Sequence, residues 1–395
     1  MNKTLKYVLP LLAATAANPA AAQTGTEAFL QRIESTSPFI AAEREDADAR
    51  ITASRAGIGP ENPDAEFAYM PGIERTESIR KSYSFTQTLA WPGEYVARSK
   101  YGKLERQQAE TQYAGLRQDI LLRAKLLCYD LVYLQKRGKL LDERLENARN
   151  LESSLQKMFD TGAATSLDLN KARINRTAVE TLRNENRSQL EAKRQQLAAL
   201  AGTDDFRPEE FAYADNPAED PEKVFREALE ASPEIRAALL EADKSARNVS
   251  IQRGSTLPSI SVGVAGERLS PTDSFLGVTT GISIPLWGGV NKVKAAKAQH
   301  RTARLRSENL RLETEAAIRE KLTNVEQLKR SLAAYASLQE VEEGKRLLQK
   351  SFDLRSITVT NYLTDVQFYY DAEENYLSLE LNLYKALAEI LKYRL

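Results

Sequence analysis

The sequence has very little cysteine and histidine, with one residue of each type among 395. Ser/His/Asp and Cys/His catalytic sets need a histidine beside a nucleophile, and soft-metal sites need several such ligands. We therefore predict that the protein is not an enzyme and that it has no catalytic, cofactor-binding or metal site. Cys128 lies among leucines in a helical stretch, which favours a packing role. His300 lies between Gln299 and Arg301 on a polar helix face, which predicts a solvated side chain.

A long hydrophobic run is also lacking, since no stretch approaches the roughly 20 apolar residues of a membrane-spanning helix. The 55 basic and 55 acidic residues balance, which argues against a nucleic-acid partner. At the start of the chain, Lys3 and Lys6 precede a short apolar stretch and an Ala-x-Ala site that ends at Ala22. That pattern predicts an export signal peptide over residues 1–22.

Glycine and proline are scarce, which indicates a mostly α-helical protein with a small β part. Between Glu94 and Phe159 nothing breaks a helix, and an apolar residue recurs at every seventh position. These positions are Ile120, Leu127, Leu134, Leu141, Ala148 and Leu155. The spacing predicts a coiled-coil-like helix of roughly 100 Å. A turn at 161–164 and a returning helix that ends near Ala201 are expected to follow.

Four short segments alternate between apolar residues and small or polar ones. They are 64–70, 82–90, 259–267 and 276–286. Successive strand side chains point to opposite faces, so each segment predicts a strand with one apolar and one polar surface. Such strands suit a transmembrane β-barrel, but natural barrels need at least about eight strands. We therefore expect the chain to pool its four strands with those of further copies of itself.

The second half of the sequence repeats the order of elements in the first half. A Trp-Pro-Gly corner at Trp91 and a Trp-Gly-Gly corner at Trp287 follow the two strand pairs. We predict two structural repeats, 23–205 and 222–395, separated by a connector at 206–221. Each repeat contains a helix, a β-hairpin and a long helical hairpin. The further helices are predicted over 26–54, over 221–253, from the Trp287 corner to about Lys350, and from about Thr360 to Leu395.

Three motifs carry a family resemblance over essentially the whole mature chain. They are Thr-Gln-Thr-Leu-Ala-Trp-Pro-Gly-Glu at 86–94, Ile-Pro-Leu-Trp-Gly-Gly at 284–289 and Phe-Asp-Thr-Gly-Ala-Ala-Thr-Ser-Leu-Asp-Leu at 159–169. With them the chain resembles the TolC-like outer membrane efflux proteins. Asn62-Pro63 and Pro92-Gly93-Glu94 are similar to the heavy-metal efflux branch of that family.

The resemblance implies a homotrimer in the outer membrane, with a long periplasmic extension. Its pooled hairpins would form a twelve-stranded β-barrel in outer-membrane lipid, continued by a coiled-coil α-helical barrel. It also implies two partners, a periplasmic adaptor protein and an inner-membrane pump. The expected function is a passive export duct from the periplasm to the exterior.

The resemblance further assigns roles to three groups of residues. The candidate adaptor-docking tips are Gly162, Thr165, Ser166, Asp168, Ser356 and Thr358. The candidate periplasmic gate residues are Arg355, Asn361, Asp365 and Asp371. The candidate membrane-interface aromatics are Tyr69, Tyr83, Phe85, Trp91 and Trp287. Alternative readings are turn chemistry and helix capping for the tips, solvated charges for the gate, and corner packing for the two tryptophans.

Two other classes of protein remain open from the residues alone. A periplasmic adaptor also carries a long helical hairpin, but it needs one hairpin and Gly-rich β-domains rather than two hairpins with paired amphipathic strands. An exported coiled-coil structural protein has no use for four alternating strands. The sequence therefore favours the duct over both alternatives, and it does not identify the transported substrate.

Overall fold

The computed structural model describes residues 19–72, 79–216, 218–269, 272–287, 289, 291–335 and 338–395, with the backbone alone for 19–24 and 338–340. Its α-helices are α1 Pro19–Thr36, α2 Pro38–Ala53, α3 Pro92–Asp160, α4 Ser166–Ala201, α5 Pro221–Ala231, α6 Pro233–Gly254, α7 Lys292–Ala334, α8 Leu338–Asp353 and α9 Val359–Ile390. Short 3-10 helices occupy Pro208–Glu210 and Leu391–Arg394. The strands are β1 Asp64–Pro71, β2 Ile79–Leu89, β3 Ser259–Arg268 and β4 Ser274–Ser283. The protein is therefore mostly helical with a small β part, and this prediction is confirmed.

The first predicted helix is divided in the structure. One helix over 26–54 is wrong, because α1 and α2 are separated at Ser37, just before a proline that supplies no backbone N–H. The Ser37 hydroxyl instead donates a hydrogen bond to the Leu200 carbonyl at 2.7 Å, which ties the break to the end of α4. The signal-peptide prediction falls largely outside the described residues, since only 19–22 of it lie within α1.

Two predicted helices of the second repeat are also divided. Pro233 separates α5 from α6, and the Ser232 hydroxyl accepts a hydrogen bond from the Ile235 N–H at 3.3 Å to cap the new helix. The expected helix from the Trp287 corner to Lys350 consists of α7 and α8. The last strand also ends earlier than predicted, at Ser283, because Pro285 cannot continue a strand ladder.

The chain forms two compact units, each built from both predicted repeats. The sheet unit comprises Glu43–Leu116 and Ser232–Ala316 and contains all four strands. Among the described residues, the helical unit comprises 19–42, Arg117–Ala231 and Ala317–Leu395. Three of the boundaries between the two units fall within α2, α3 and α7.

The four strands form one antiparallel sheet in the order β1-β2-β3-β4. The two hairpins are joined through β2 and β3, where Phe85 pairs with Val264. The two repeats therefore contribute to a single sheet rather than to separate ones. Within the described residues no further strand pairs with β1 or β4, so both edges of the sheet are open.

The core of the helical unit lies between its long helices. One buried cluster contains Leu151, Leu155, Leu169, Ala172, Phe352, Val359, Tyr362, Val366 and Tyr370, drawn from α3, α4, α8 and α9. The turns α3–α4 and α8–α9 therefore meet around the same core. A second cluster packs Tyr129 against Leu381 and Ala388. Heptad positions such as Leu141 and Leu155 are buried, as the coiled-coil spacing predicts.

Candidate functional site

One face of the sheet is apolar and exposed. The cross-strand register places these apolar residues on it: Phe67, Tyr69, Tyr83, Phe85, Leu89, Ile260, Val262, Val264, Leu276, Val278 and Ile282. Phe67 is 68% exposed and Leu276 is 76% exposed. Tyr83 lies over Gly266 of the next strand, where a Cβ would come within 2.2 Å of the tyrosine ring. The predicted interface residues Tyr69, Tyr83 and Phe85 therefore share one exposed apolar surface.

The opposite face of the sheet is small and polar. Its central residues are Ser82, Ser84, Thr86, Thr88, Ser261, Gly263, Ala265, Gly277, Thr279 and Gly281. Near the hairpin loops, Arg80 on β2 and Glu267 on β3 form an ion pair, with an Nη2–Oε2 distance of 3.2 Å. A sheet with one apolar and one hydroxyl-rich face has the patterning of a water-filled β-barrel wall.

The corner between β2 and α3 contains a buried acid that the sequence pattern did not reveal. Glu94 in the first turn of α3 is 4% exposed, and its Oε1 accepts a hydrogen bond from Arg98 Nη2 at 2.5 Å. Arg98 Nη1 also donates to the Gly57 carbonyl at 3.2 Å. Trp91 and Trp287 are exposed by 48% and 87%. Both tryptophan side chains therefore face solvent at the end of the sheet that joins the helices.

The first tip, residues 161–165, is a tight turn that reverses the chain from α3 to α4. Gly162 has a φ of +75°, and its N–H donates to the Phe159 carbonyl at 2.9 Å. Thr165 caps α4: its hydroxyl oxygen accepts from the Asp168 N–H at 3.1 Å, and the Asp168 carboxylate accepts from the Thr165 N–H at 3.3 Å. The hydrogen bond from the Thr165 hydroxyl lowers the pKa of Asp168 below its usual range. Ser166 is exposed beside this cap.

The second tip, residues 354–358, has the same backbone as the first. Arg355 takes a φ of +57°, and its N–H donates to the Phe352 carbonyl at 2.9 Å. The Thr358 hydroxyl accepts from the Asn361 N–H at 3.2 Å, in place of the Thr165–Asp168 cap. Ser356 is exposed, and its hydroxyl donates to the Ser351 carbonyl at 2.7 Å. The predicted tip residues therefore lie in two matched turns.

The tips are held side by side in the helical unit. Lys171 Nζ on α4 donates to Thr360 Oγ1 on α9 at 2.7 Å, close to both turns. Phe352 and Tyr362 pack together behind the second tip, with ring centroids 4.9 Å apart. The exposed polar groups of both turns therefore lie at one end of a four-helix core.

Comparison with known proteins relates part of this chain to a protein family. Residues 224–393 match the model of the family described as outer membrane efflux protein. The matched residues make up less than half of the chain. TolC, an outer membrane protein of Vibrio cholerae, is 23% identical over 371 residues, which cover 85% of this chain and 82% of TolC. CzcC, a cobalt-zinc-cadmium resistance protein of Cupriavidus metallidurans, is 25% identical over 199 residues, which cover 49% of this chain and 47% of CzcC.

Solved structures of other proteins share the fold of this chain. The CmeC outer membrane channel of Campylobacter jejuni superposes with a TM-score of 0.79 at 14% identity, covering 99% of this chain and 90% of CmeC. The outer membrane protein VceC of Vibrio cholerae superposes with a TM-score of 0.77 at 15% identity, covering 93% and 95%. The chain therefore shares its fold with these two outer membrane proteins.

One of the four predicted gate residues, Arg355, lies in the second tip, and the other three lie on the first part of α9. Asn361, Asp365 and Asp371 all face solvent there. Asp371 accepts a hydrogen bond from Gln367 Nε2 at 2.5 Å, and Arg144 of α3 donates to Gln367 Oε1 at 2.5 Å. Phe368 is 68% exposed on the same stretch of α9. These side chains form an acidic and aromatic surface just beyond the second tip.

A charge cluster around the largely buried pair Lys345 and Glu373 was not foreseen from the sequence. Lys345 Nζ on α8 lies 2.7 Å from both Glu342 and Glu373, and 3.4 Å from Glu143 on α3. The other carboxylate oxygen of Glu373, Oε2, is buried without a hydrogen-bond partner. Burial raises the pKa of Glu373 to about 7, although the Lys345 ammonium opposes the shift. Glu342 and Lys345 are neighbours on α8, whereas Glu143 and Glu373 come from distant parts of the chain, so local patterns give no sign that all four charges meet.

The single cysteine, Cys128, and the single histidine, His300, both lie in described helices. Cys128 is fully buried in α3, and burial raises the pKa of its thiol, which fits the predicted packing role. The prediction of a solvated His300 is wrong, because its Nδ1 lies 3.1 Å from both Ser245 Oγ and the Ala242 carbonyl of α6.

In the part of the chain that the structure describes, no group of three His, Cys, Asp or Glu side chains is arranged to hold a metal ion. None of the described helices is long and apolar enough to cross a bilayer.

Proposed function

We propose that this protein is the outer-membrane duct of a three-part export system. Three copies would pool their sheets into a twelve-stranded β-barrel, with the apolar face toward lipid and the hydroxyl-rich face lining the passage. The helices would continue the duct into the periplasm, where an adaptor protein and an inner-membrane pump deliver the substrate.

The exposed sheet gives the strongest support for this proposal. For a single chain in water, a four-stranded sheet with two open edges and an exposed apolar face is unfavourable in free energy and prone to association. Edge pairing between copies would satisfy the backbone groups of β1 and β4, and a bilayer would cover the apolar face. A periplasmic adaptor or a coiled-coil structural protein gives this sheet no comparable role.

The two tips and the acidic end of α9 provide the proposed periplasmic functions. The tips would dock the adaptor protein, because exposed turns are free to carry contacts that the core does not need. Arg355, Asn361, Asp365 and Asp371 would surround the periplasmic opening. In a trimer each of these groups is present three times, so a narrow opening there would be sensitive to charge.

The test is to fractionate membranes from cells that express the full chain, determine the mass of the purified protein in detergent, and record conductance in planar bilayers. We expect a trimer in the outer-membrane fraction that conducts ions after insertion. N-terminal sequencing of the same sample should begin at Gln23 if the signal peptide is cleaved as predicted. A soluble periplasmic monomer, or an assembly that inserts no conductance, would contradict the duct.

A further inference from the structure

At the helix end of the sheet, exposed apolar side chains are followed by cations without acidic neighbours in the sequence. Beyond β4, the apolar residues continue as Ile284, Leu286 and Trp287, which are 62%, 67% and 87% exposed. Residues 274–307 contain six lysines and arginines and neither aspartate nor glutamate. The first of these cations, Lys292, comes five residues after the tryptophan. An apolar surface is therefore followed directly by a basic helix.

The end of α6 adds further positive charge beside this helix. His300 Nδ1 on α7 lies 3.1 Å from Ser245 Oγ on α6, so the two helices pack side by side. Because α6 runs toward the sheet and α7 runs away from it, the end of α6 lies beside the start of α7. Residues 246–254, which complete α6, contain Arg247 and Arg253 and no acidic residue. Two acid-free segments therefore meet at the helix end of the sheet.

The cations of these two segments nearest to the sheet are exposed, and they are here called the basic patch. They are Arg247, Arg253, Lys292, Lys294, Lys297 and Arg301. Within the described residues none of the six forms an ion pair. Lys294, Lys297 and Arg301 recur at spacings of three and four residues, which places them on one face of α7.

The acidic residues close to this end of the sheet do not neutralise the basic patch. Glu94 of α3 approaches the end of α6, where a Cβ at Gly254 would lie 2.9 Å from its own Cβ. Glu94 is 4% exposed and is paired with Arg98. Asp64, at the helix end of β1, lies on the polar face of the sheet, where it pairs with Thr86. The positive charge of the patch is therefore uncompensated on the exposed surface of α6 and α7.

This order of residues matches the boundary of a bilayer. If the apolar face contacts lipid tails, Trp287 lies where the tails end, because tryptophan favours that depth. At 1.5 Å per residue, Lys294 and Lys297 lie within roughly 8 Å of the start of α7 along its axis. Attraction to anionic headgroups extends over about a Debye length, which is 8–10 Å. Long cationic side chains at this distance can therefore reach lipid phosphates.

We propose that the basic patch binds the phosphates of anionic phospholipids in the leaflet that borders the helices. The surface rests on the proposed membrane position of the sheet and adds lipid selectivity to it. Phosphatidylglycerol should bind better than phosphatidylcholine, because choline brings its own positive charge to the patch. The patch would occur once in each copy, so the assembled duct would hold anionic lipids around the base of its β-barrel.

The test uses the full chain reconstituted in phosphatidylcholine vesicles that contain either spin-labelled phosphatidylglycerol or spin-labelled phosphatidylcholine. The motionally restricted fraction of each label gives the relative affinity for the two lipids. We expect the unmodified protein to prefer phosphatidylglycerol and K294Q/K297Q to reduce that preference, by up to about fivefold for each cation removed. The variant K294R/K297R keeps both charges and should keep the preference.

A matched control removes two exposed lysines from the helical unit. Lys157 on α3 and Lys350 on α8 lie beside the two tips, so K157Q/K350Q should leave the preference unchanged. Equal affinity of the unmodified protein for both labels would overturn the lipid surface, as would an equal loss in K157Q/K350Q. Displacement of labelled phosphatidylglycerol by inorganic phosphate at constant ionic strength would also overturn it, because the patch would then bind a soluble anion.

Two other positions of the same cations would give different results. If Lys294 and Lys297 lined the passage, K294Q/K297Q would shift the reversal potential under a salt gradient. If they contacted a neighbouring copy, K294Q/K297Q would lower the mass of the assembly in detergent. Either change, together with an unaltered lipid preference, would overturn the lipid surface.

Insertion is measured separately, so that the two proposals can fail independently. The only tryptophans, Trp91 and Trp287, are exposed at the helix end of the sheet. Brominated phosphatidylcholine should quench their fluorescence in the unmodified protein and in every variant. Absence of quenching in the unmodified protein would contradict the membrane position of the sheet, whereas quenching without lipid preference would contradict the lipid surface alone.

Discussion

At the scale of single residues, Gly162 and Arg355 occupy equivalent turns with the same left-handed backbone. Glycine adopts this conformation without a steric cost, whereas a side chain costs about 1 kcal/mol or more there. A Cβ at Gly162 would meet no atom within 4 Å, so the surroundings leave room for a side chain. The arginine of the second tip shows that this turn tolerates a large cationic residue.

We expect G162R to reduce export while the protein still assembles. The substitution costs about 1–2 kcal/mol through its backbone conformation and places a bulky charge where the adaptor protein would dock. Export assays and the amount of folded oligomer should be measured together. R355G is the matched control, since it relieves the same conformation at the second tip and should raise stability by about 1 kcal/mol. Normal export by assembled G162R would remove the first tip from the docking surface.

Glu373 makes the stability of the α8–α9 hairpin dependent on pH. Its folded-state pKa of about 7 lies above the ordinary carboxyl value, so the folded protein holds this proton more tightly than the unfolded chain does. Stability should therefore fall as pH rises from about 5 to about 7, by roughly 1–2 kcal/mol after solvent screening. Urea unfolding at pH 5.5 and pH 8 would measure the difference, and E373Q should flatten it. An unchanged pH dependence in E373Q would assign the effect to another group.

At the scale of elements, the connector after α4 is attached to α3 through a buried ion pair. Lys125 Nζ lies 2.6 Å from Asp215 Oδ1, and the two side chains are 9% and 7% exposed. The Tyr129 hydroxyl donates to Asp215 Oδ2 at 2.8 Å and accepts from the Ala214 N–H at 3.2 Å. The Tyr213 ring of the connector stacks on Tyr384 of α9, with centroids 4.3 Å apart. The connector is thus an integral part of the helical unit.

D215A should destabilise the protein by about 3–5 kcal/mol, because it leaves the Lys125 ammonium buried without its anion. The double variant K125M/D215A should recover part of that loss, since it removes the stranded charge. Chemical unfolding of the oligomer would measure both values. E308A is a suitable control, because Glu308 and Arg304 form an exposed pair on α7 whose loss should cost less than about 1 kcal/mol. Equal effects of D215A and E308A would contradict the buried-pair account.

The elements differ in how well local sequence predicts them. The strands and the long helix α3 were predicted to within a few residues, because alternation and heptad spacing repeat many times along them. Local patterns do not predict the helix breaks at Ser37 and Ser232. Pro38 and Pro233 are visible in the sequence, but a proline is also tolerated in the first turn of a helix, so it does not by itself mark where one helix ends and the next begins. The caps at Thr165 and Thr358 follow from local chemistry, which is why the positions of both tips agree with prediction.

At the scale of the whole molecule, the proposed duct should owe part of its ion selectivity to the acidic end of α9. Neutralising Asp365 and Asp371 removes two carboxylates from each copy, so D365N/D371N should lower cation selectivity and change single-channel conductance. Reversal potentials under a salt gradient would measure the change. E185Q/E191Q removes two exposed carboxylates from α4 and should have a smaller effect. Identical reversal potentials for the unmodified protein and D365N/D371N would exclude these residues from the gate.

The sequence by itself determined the periodic features of this protein: two amphipathic hairpins, two long helical hairpins, their repeated order and the resemblance to a family. These features depend on neighbours along the chain, so periodicity records them directly. Tertiary structure alone decided that β2 pairs with β3 to make one sheet, that Lys125 meets Asp215, and that Glu373 is buried beside Lys345. Those outcomes depend on contacts between distant segments and on loss of water around charged groups, which no local pattern encodes.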